Sequence, residues 1–525
     1  MQTSETELYS WPFQEAVKIL EHWKKYPAPN GICRFEIGYG PSGLPHLGTF
    51  CESKRTAYII NAFQKISNVE AELICFSDDL DALRSVPQNL PNQEGLKKYI
   101  GYALSSIPDP FGKEKSFADY MNTKMRSFLD RFEINYKFFS AKQCYESGMF
   151  DEYLLKVLEK YDEIMEVMLP TLGHKRQETY SPFFPICQTT GKVLQVQVLE
   201  RCLATGSISY QNPETQKIET TKVTGGKCKL QWKPDFAMRW AALDIKYEIF
   251  GKDHLPSAPI YSKICQILGK EPPEQFIFEL FLSEDGKKIS KSKGNSITLD
   301  NLLKYFPQKS IELFLYNNPK KAKKVAFDVF LKSADEYINL LKIYPNLTEV
   351  QKCNSPLYHL HNGDVPKENN FGEINFSMLI NLINVLGNKD VNAIKAFIQE
   401  YDNSLNLQYN LQWDALINNA LAYYEDVIEP SKIYTTPSPE HAESLLKIKS
   451  YVDSLQELDA TLIQNYIYGL AREYNPEDMK SYFQGLYQVL LGTGNGPRFG
   501  TLFKILGKQG INNLIERILN VQIAN

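Results

Sequence analysis

The sequence predicts an α/β protein built on a parallel sheet, interrupted by a long insertion and followed by an α-helical C-terminal region. Three observations carry this prediction. Residues 32–63 read as a strand, a turn and a helix, and short apolar runs at 72–77, 245–250 and 276–282 are suited to the same sheet. From about 87 to 233 this β–α rhythm stops; helical stretches give way to short Val- and Thr-rich strands set off by Gly and Asn-Pro turns. Beyond Thr298 apolar residues recur almost everywhere at helical spacing.

Taken in order, residues 14–25 form a helical pattern stopped by Pro27, Pro29 and Gly31. A strand is expected over 32–37, a glycine- and proline-rich turn over 38–45 and a helix over 46–63. The run 72–77 ends in Asp78-Asp79, as expected of a buried parallel strand with polar groups at its C-terminal end, where ligands of such sheets bind. Residues 150–168 read as helical within the insertion. The run 245–250 restores the first domain, and 276–282 adds a strand. Helices are expected at 299–305, 310–316, 327–343, 376–386 and over most of 391–520, with a linker at 354–370, where Asn and Pro interrupt the pattern. The expected divisions are 1–86, 87–233, 234–297, 298–353 and 354–525.

A chain of 525 residues exceeds what one core usually serves. Its apolar content of 43% is that of a globular protein, and the absence of a bilayer-length apolar run predicts no membrane association. The polar, acidic start at Met1-Gln2-Thr3-Ser4-Glu5 lacks the features of a secretory signal, so a cytoplasmic location is expected. Nine dispersed cysteines read as reduced thiols. A net charge of −4 argues against non-specific binding to phosphate backbones, which depends on Lys and Arg. Two basic groups stand out locally, Lys287, Lys288, Lys291 and Lys293, then Lys320, Lys321, Lys323 and Lys324. Either alone reads as a solvated face; two in one region favour a phosphate-bearing partner.

The first chemical constellation is Gly38-Tyr39-Gly40-Pro41-Ser42-Gly43-Leu44-Pro45-His46-Leu47-Gly48-Thr49. Small residues let a ligand approach the backbone, and the N–H groups and dipole of the following helix favour phosphate. A tight turn with a surface histidine is the competing reading, and spacing alone leaves both open. The segment resembles the first signature of class I aminoacyl-tRNA synthetases, a His-x-Gly-His element that packs against ATP. His46 and Gly48 match its first and third positions, and Thr49 replaces the final histidine, keeping a hydrogen-bond donor but no positive charge. The resemblance implies ATP contacts from Pro41, Ser42, Gly43 and Gly48, and catalytic roles for His46 and Thr49.

The second constellation, Gly286-Lys287-Lys288-Ile289-Ser290-Lys291-Ser292-Lys293-Gly294-Asn295, resembles the second signature, Lys-Met-Ser-Lys-Ser, with Ile289 in place of Met. When a carboxylate attacks the α-phosphate of ATP, negative charge builds on the phosphoryl oxygens, and cations on a glycine-flanked loop stabilise it. Lys288 and Lys291 are the candidates for this role, with Ser290 and Ser292 as donors and Ile289 and Lys291 against ATP. The substrate's own carboxylate is the nucleophile, so no Ser-His-Asp arrangement is needed.

Three further stretches are similar to the class I lysyl-tRNA synthetases: 77–87, Met238-Arg239-Trp240 through Gly251-Lys252-Asp253-His254, and Gly496-Pro497-Arg498-Phe499-Gly500. Membership implies a Rossmann-type catalytic domain with an inserted connective domain, a small domain after the second signature and a C-terminal helical domain that reads the anticodon. The implied substrates are L-lysine, ATP with Mg²⁺, and tRNA(Lys). The ammonium of lysine needs acceptors or an aromatic face when it leaves water. Asp78 and Asp79 are placed to accept it, Trp232 or Phe281 to cover its stem, while Asp81 and Arg84 are expected to pair with each other. The resemblance puts Gly251 and Asp253 near the ribose or adenine, His254 in the lysine pocket with Gly38 and Gly40, and glycine at 40 where the family often has a hydroxyl residue. No structural zinc is expected, since Cys187-Gln188-Thr189-Thr190 lacks the second cysteine of a knuckle and Cys202 and Cys228 are isolated. Mg²⁺ is expected on phosphates and water without protein ligands. Arg498 is the candidate RNA contact, Tyr466, Tyr468, Tyr474 and Tyr482 serve either base stacking or the core, and a monomer is expected. The alternatives are a synthetase of another specificity, a nucleotidyltransferase that adenylates a small carboxylate, and a non-catalytic tRNA-binding paralogue. An anionic substrate would want Arg where Asp78-Asp79 stand.

Overall fold

The computed structural model describes residues 7–284, 286, 297–366, 371–387, 389–405, 407 and 411–521. Two compact units result, one formed by residues 1–298, 315–326 and 348–365, the other by 299–314, 327–347 and 366–525.

The first unit is organised by five parallel strands: β1 (Ile32–Tyr39), β2 (Glu70–Ser77), β3 (Lys137–Ser140), β4 (Ile245–Gly251) and β5 (Glu274–Phe278). They lie in the order β3-β2-β1-β4-β5, the doubly wound arrangement. Strand direction from the first strand to either edge therefore places the switch point between β1 and β4, where crossovers diverge and a crevice opens at the carboxyl ends. β1 is mostly buried and β4 is buried at every position, as required of strands covered on both faces. Around them pack α1 (Trp11–Lys25), α2 (Leu47–Ile66), α3 (Phe117–Arg131), α4 (Trp232–Leu243) and α5 (Ala258–Ile267).

Several expected boundaries move. α1 begins at Trp11, with extended Ser10 before it and Pro12 tolerated in the first turn. The edge strand β3 comes from within the stretch read as insertion; four residues are too few to show a period. The helix expected over 150–168 is broken at Lys160 into Asp151–Glu159 and Tyr161–Met168. The run 276–282 is two strands: β5, then Phe281–Leu282, which pairs in parallel with Lys323–Lys324. The expected linker at 354–370 is instead folded through its first part. Pro356–Leu360 is a short helix with Leu357 and Leu360 buried, Asn354 Oδ1 accepts from the Tyr9 and Ser10 N–H groups, and Ser10 Oγ lies 2.7 Å from His359 Nε2. Asn and Pro here serve as a cap partner and a helix start rather than as breakers.

The second unit is helical, including Leu299–Tyr305, Phe327–Ile343 and Phe376–Leu386 as expected, then Leu411–Tyr423, Pro439–Ser454, Ala460–Tyr474, Met479–Leu491 and Phe499–Val521. Phe306 is an aromatic hub, its ring 5.7 Å from Phe330, 6.0 Å from Phe376 and 5.5 Å from Tyr423. The close crossing of two helices explains Gly500, where a Cβ would lie 1.9 Å from the Ala460 carbonyl oxygen.

Candidate active site at the carboxyl end of the sheet

A cavity of ≈ 240 Å³ opens at the switch point. Gly38, Tyr39 and Gly40 form its wall at the end of β1, Gly251 and Asp253 at the end of β4, and His46, Leu47, Gly48, Thr49 and Glu52 at the start of α2. Phe278, Leu280, Phe281 and Ile297 complete it.

His46 is the N-cap of α2: its Nδ1 accepts from the Thr49 N–H at 3.3 Å. In the neutral ring that bond leaves the proton on Nε2, so the imidazole is a donor at a helix N-terminus, whose N–H groups and dipole favour phosphate. The ring lies so close over Gly48 that a Cβ there would sit 2.8 Å from His46 Cε1. A side chain at 48 would have to displace the imidazole from this position. Gly251 has a parallel reason, since a Cβ would meet Asp253 Oδ1 at 2.7 Å. Pro41 and Gly43 are buried and Ser42 is exposed, and none of the three lines the cavity. Behind Phe278 and Phe281 lies Arg55 of α2, its guanidinium 5.1 and 6.0 Å from the two rings and its Nε donating to Leu315 O.

Outside the cavity's lining, against Gly38, lies an aromatic cluster. Trp232 and His254 meet edge to face at 5.9 Å, Phe236 stacks on Tyr261 at 4.8 Å, and Tyr261 Oη lies 3.0 Å from His254 Nδ1. Beneath it is an ionic cluster. Arg239 of α4 donates Nε to Glu36 Oε1 at 2.9 Å and Nη1 to Asp78 Oδ1 at 2.7 Å and Asp235 Oδ2 at 2.9 Å. Glu36 and Glu248 are register partners on β1 and β4, both fully buried, and Trp240 Nε1 donates to Glu248 Oε2. Burial first, and then the neighbouring carboxylates, raise Glu36 from the usual range to about 7 against the opposing pull of Arg239, and push Glu248 up as well. Asp79 is 4% exposed and accepts from the Lys142 N–H at 2.9 Å, and burial raises it. Asp81 pairs with Lys229 rather than with Arg84. The insertion brings a cation to a position that local sequence spacing does not reveal.

The structure therefore gathers Gly38, Gly40, His46, Gly48, Thr49, Gly251, Asp253 and Phe281 at one cavity, and Trp232 with His254 beside Asp78's ionic cluster. Asp78, Asp79, Trp232 and His254 are not among the cavity's lining residues. Lys288, Ile289, Ser290, Lys291 and Ser292 lie outside the described residues, as do Lys287 and Lys293. Sequence reading missed Glu52, Phe278 and the buried Glu36–Glu248 pair; only the i, i+4 spacing of Asp235 and Arg239 hinted at the cluster. In the insertion Cys187 accepts a hydrogen bond from Asn212 Nδ2 and packs with Leu194 and Tyr210, Cys228 is buried and Cys202 exposed. Arg498 is exposed next to a packed turn in which Tyr487 Oη donates to Pro497 O and Phe499 stacks on Tyr487 at 4.3 Å. Of the tyrosines, Tyr466 stacks on Tyr451 at 3.9 Å, Tyr482 is buried and donates to Ser444, Tyr474 meets Lys447, and Tyr468 is 43% exposed.

A switch-point cavity with a capped helix N-terminus on one side and glycine-lined strand ends on the other stands where Rossmann-type folds bind nucleotides. The chain belongs to the class I tRNA synthetase (K) family, whose model matches residues 9–364. It is 48% identical over 510 residues to a lysine–tRNA ligase of Rickettsia conorii, covering 97% of each, and 48% identical over 513 residues to one of Rickettsia bellii, covering 97% of this chain and 98% of the relative. A crystal structure of a glutamate tRNA ligase from Elizabethkingia meningosepticum aligns over 93% of the chain at 14% identity with a TM-score of 0.37.

Proposed function

We propose that the protein is a lysine–tRNA ligase, an ATP-dependent enzyme that joins L-lysine to tRNA(Lys). The observation that carries this is near-full-length identity of 48% to relatives bearing that name. In the first step the lysine carboxylate attacks the α-phosphorus of ATP, a P–O bond forms and pyrophosphate leaves. In the second a ribose hydroxyl at the 3′ end of tRNA attacks the carbonyl carbon and AMP leaves.

The triphosphate is assigned to the α2 N-terminus, with His46 Nε2 donating to phosphate and Gly48 admitting it; the Thr49 hydroxyl is the nearby second donor. The nucleoside is assigned to Gly251 and Asp253, and Lys288, Ser290 and Lys291 to the charge developing in adenylate formation. Lysine is assigned to Gly38, Gly40, Trp232, His254 and Phe281, with the acidic end of β2 toward its ammonium. Among the described residues the cavity is lined by two carboxylates, Glu52 and Asp253, fewer than an all-protein cage needs, so Mg²⁺ would be held by phosphates and water and would neutralise charge there. Among the described residues no helix is long and apolar enough to cross a membrane. A cytoplasmic monomer that holds tRNA partly through Arg498 completes the proposal.

Amino-acid-dependent exchange of pyrophosphate into ATP, run over all twenty amino acids with and without tRNA, tests it. Exchange with lysine alone is expected. Exchange with another amino acid would overturn the specificity, and tRNA binding without any exchange would favour a non-catalytic tRNA-binding protein.

A further inference from the structure

The ionic cluster against the aromatic side chains holds more carboxyl groups than cations. Arg239 faces three carboxylates, Glu36, Asp78 and Asp235, and Glu248 stands in register beside Glu36. Lys229 is drawn off to Asp81. Of the three carboxylates on Arg239, Asp78 alone keeps appreciable solvent access, 20% at the side chain against 0% and 6%. It is also tied to the cavity through its backbone, whose N–H donates to Tyr39 O at 2.8 Å.

Arg239 is itself immobilised. Its guanidinium lies 4.3 Å from the Phe76 ring centroid and 4.5 Å from that of Phe236, and Phe236 in turn touches His254 at 5.5 Å. Trp232, Asp235, Phe236 and Arg239 share one face of α4 by their spacing. Arg239 Nη2 is buried without a hydrogen-bond partner and would be 3.5 Å from a Cβ on Gly38. The aromatic cluster, the ionic cluster and the glycine end of β1 are therefore in continuous contact.

We propose that Arg239 is a positioning residue for recognition of a cationic amino acid: it fixes the Asp78 carboxylate at the end of β2, where that carboxylate meets the substrate's side-chain ammonium. This rests on the lysine reading given above. The guanidinium of Arg239, placed between two rings and bonded to Glu36 and Asp235 as well, holds the Asp78 carboxylate in place through Nη1, which a flexible lysine ammonium cannot do. An acceptor fixed in this way discriminates by chain length, because a shorter cation leaves the carboxylate unsatisfied.

The test is lysine-dependent pyrophosphate exchange by the full chain, comparing the parent with Arg239→Lys, Asp78→Asn and the double variant, and using ornithine and norleucine as competing substrates. Arg239→Lys is expected to raise KM for lysine ~10-fold or more, leave KM for ATP within about twofold, and shrink the preference for lysine over ornithine. On the Asp78→Asn background its further effect on lysine KM is expected to be under about threefold. Parallel rises in both KM values, or full additivity of the two substitutions, would overturn the proposal. Should Arg239→Lys not fold, Asp78→Asn decides, since Arg239 then keeps two carboxylates; an unchanged lysine KM and unchanged discrimination against norleucine would overturn the proposal. A folded parent that exchanges with no lysine at all would overturn the functional reading instead, and the positioning role with it.

Discussion

Glu36→Gln should make the protein more resistant to unfolding at neutral pH relative to the parent, and the gain should vanish in acid. Glu36 is fully buried, accepts one hydrogen bond from Arg239 Nε, and leaves Oε2 without a partner beside Glu248, whose Oε1 is also unpartnered. Burial and like charge hold its proton up to about pH 7, against an ordinary value of 4.5. Between those values the folded protein keeps a proton that the unfolded chain has released, so its stability falls as pH rises. At ~1.4 kcal/mol per pH unit the loss approaches about 3 kcal/mol, an upper figure because Glu36 and Glu248 titrate as a pair. Glutamine keeps an acceptor for Arg239 and has nothing to release. His22 and His359, which burial lowers to about 4 and about 3, tilt the whole profile the other way, destabilising the fold as pH falls below 6.5. They are common to both proteins and cancel in the difference. Urea unfolding of parent and variant from pH 5 to 8 measures that difference directly. Curves that run parallel across the interval would refute the shared buried charge.

Four further outcomes follow from the geometry. Gly48→Ala should lower the exchange rate ~100-fold, since its Cβ displaces the His46 ring from the α2 terminus, and His46→Ala should cost in addition about 1 kcal/mol of helix stability from the lost cap, read by thermal melting. Gly251→Ala should raise KM for ATP by pushing Asp253 out of the cavity wall, with KM for lysine little changed. Gly500→Ala should destabilise the helical unit by about 1–3 kcal/mol through overpacking against the Ala460 carbonyl, while pyrophosphate exchange in the absence of tRNA continues at the parent's rate.

The regular elements were legible where a period had room to show itself. β1, β2, α2 and the helices Leu299–Tyr305, Phe327–Ile343 and Phe376–Leu386 follow their apolar spacing. β3 and the Phe281–Leu282 ladder are too short for any period, and the helix at Pro356–Leu360 exists because it docks on the N-terminal segment, a tertiary cause that local composition does not contain. In the site, His46 and Gly48 were readable because they match the first and third positions of a class I synthetase signature, where spacing alone left a tight turn open, whereas Glu36 and Glu248 look like ordinary polar residues within strands. Only the register of β1 on β4 makes them neighbours. The Asp81–Lys229 pair was hidden for the same reason, its partner arriving from a distant strand.

That register also governs when the site can exist during synthesis. Arg34 finds its sheet partner at Ile245, so roughly 200 residues of chain must emerge before the central crevice has its second wall, a closure that is slow compared with local helix and hairpin formation. The β1–β2–β3 half can assemble early on the ribosome, with Glu36 and Gly38 still facing an unfilled edge. Until β4 arrives, that edge is an exposed template for pairing with other chains. The insertion between β3 and β4 thereby sets a delay, and a nascent chain arrested before residue 245 should be more prone to association, and more dependent on chaperones, than one arrested after residue 278.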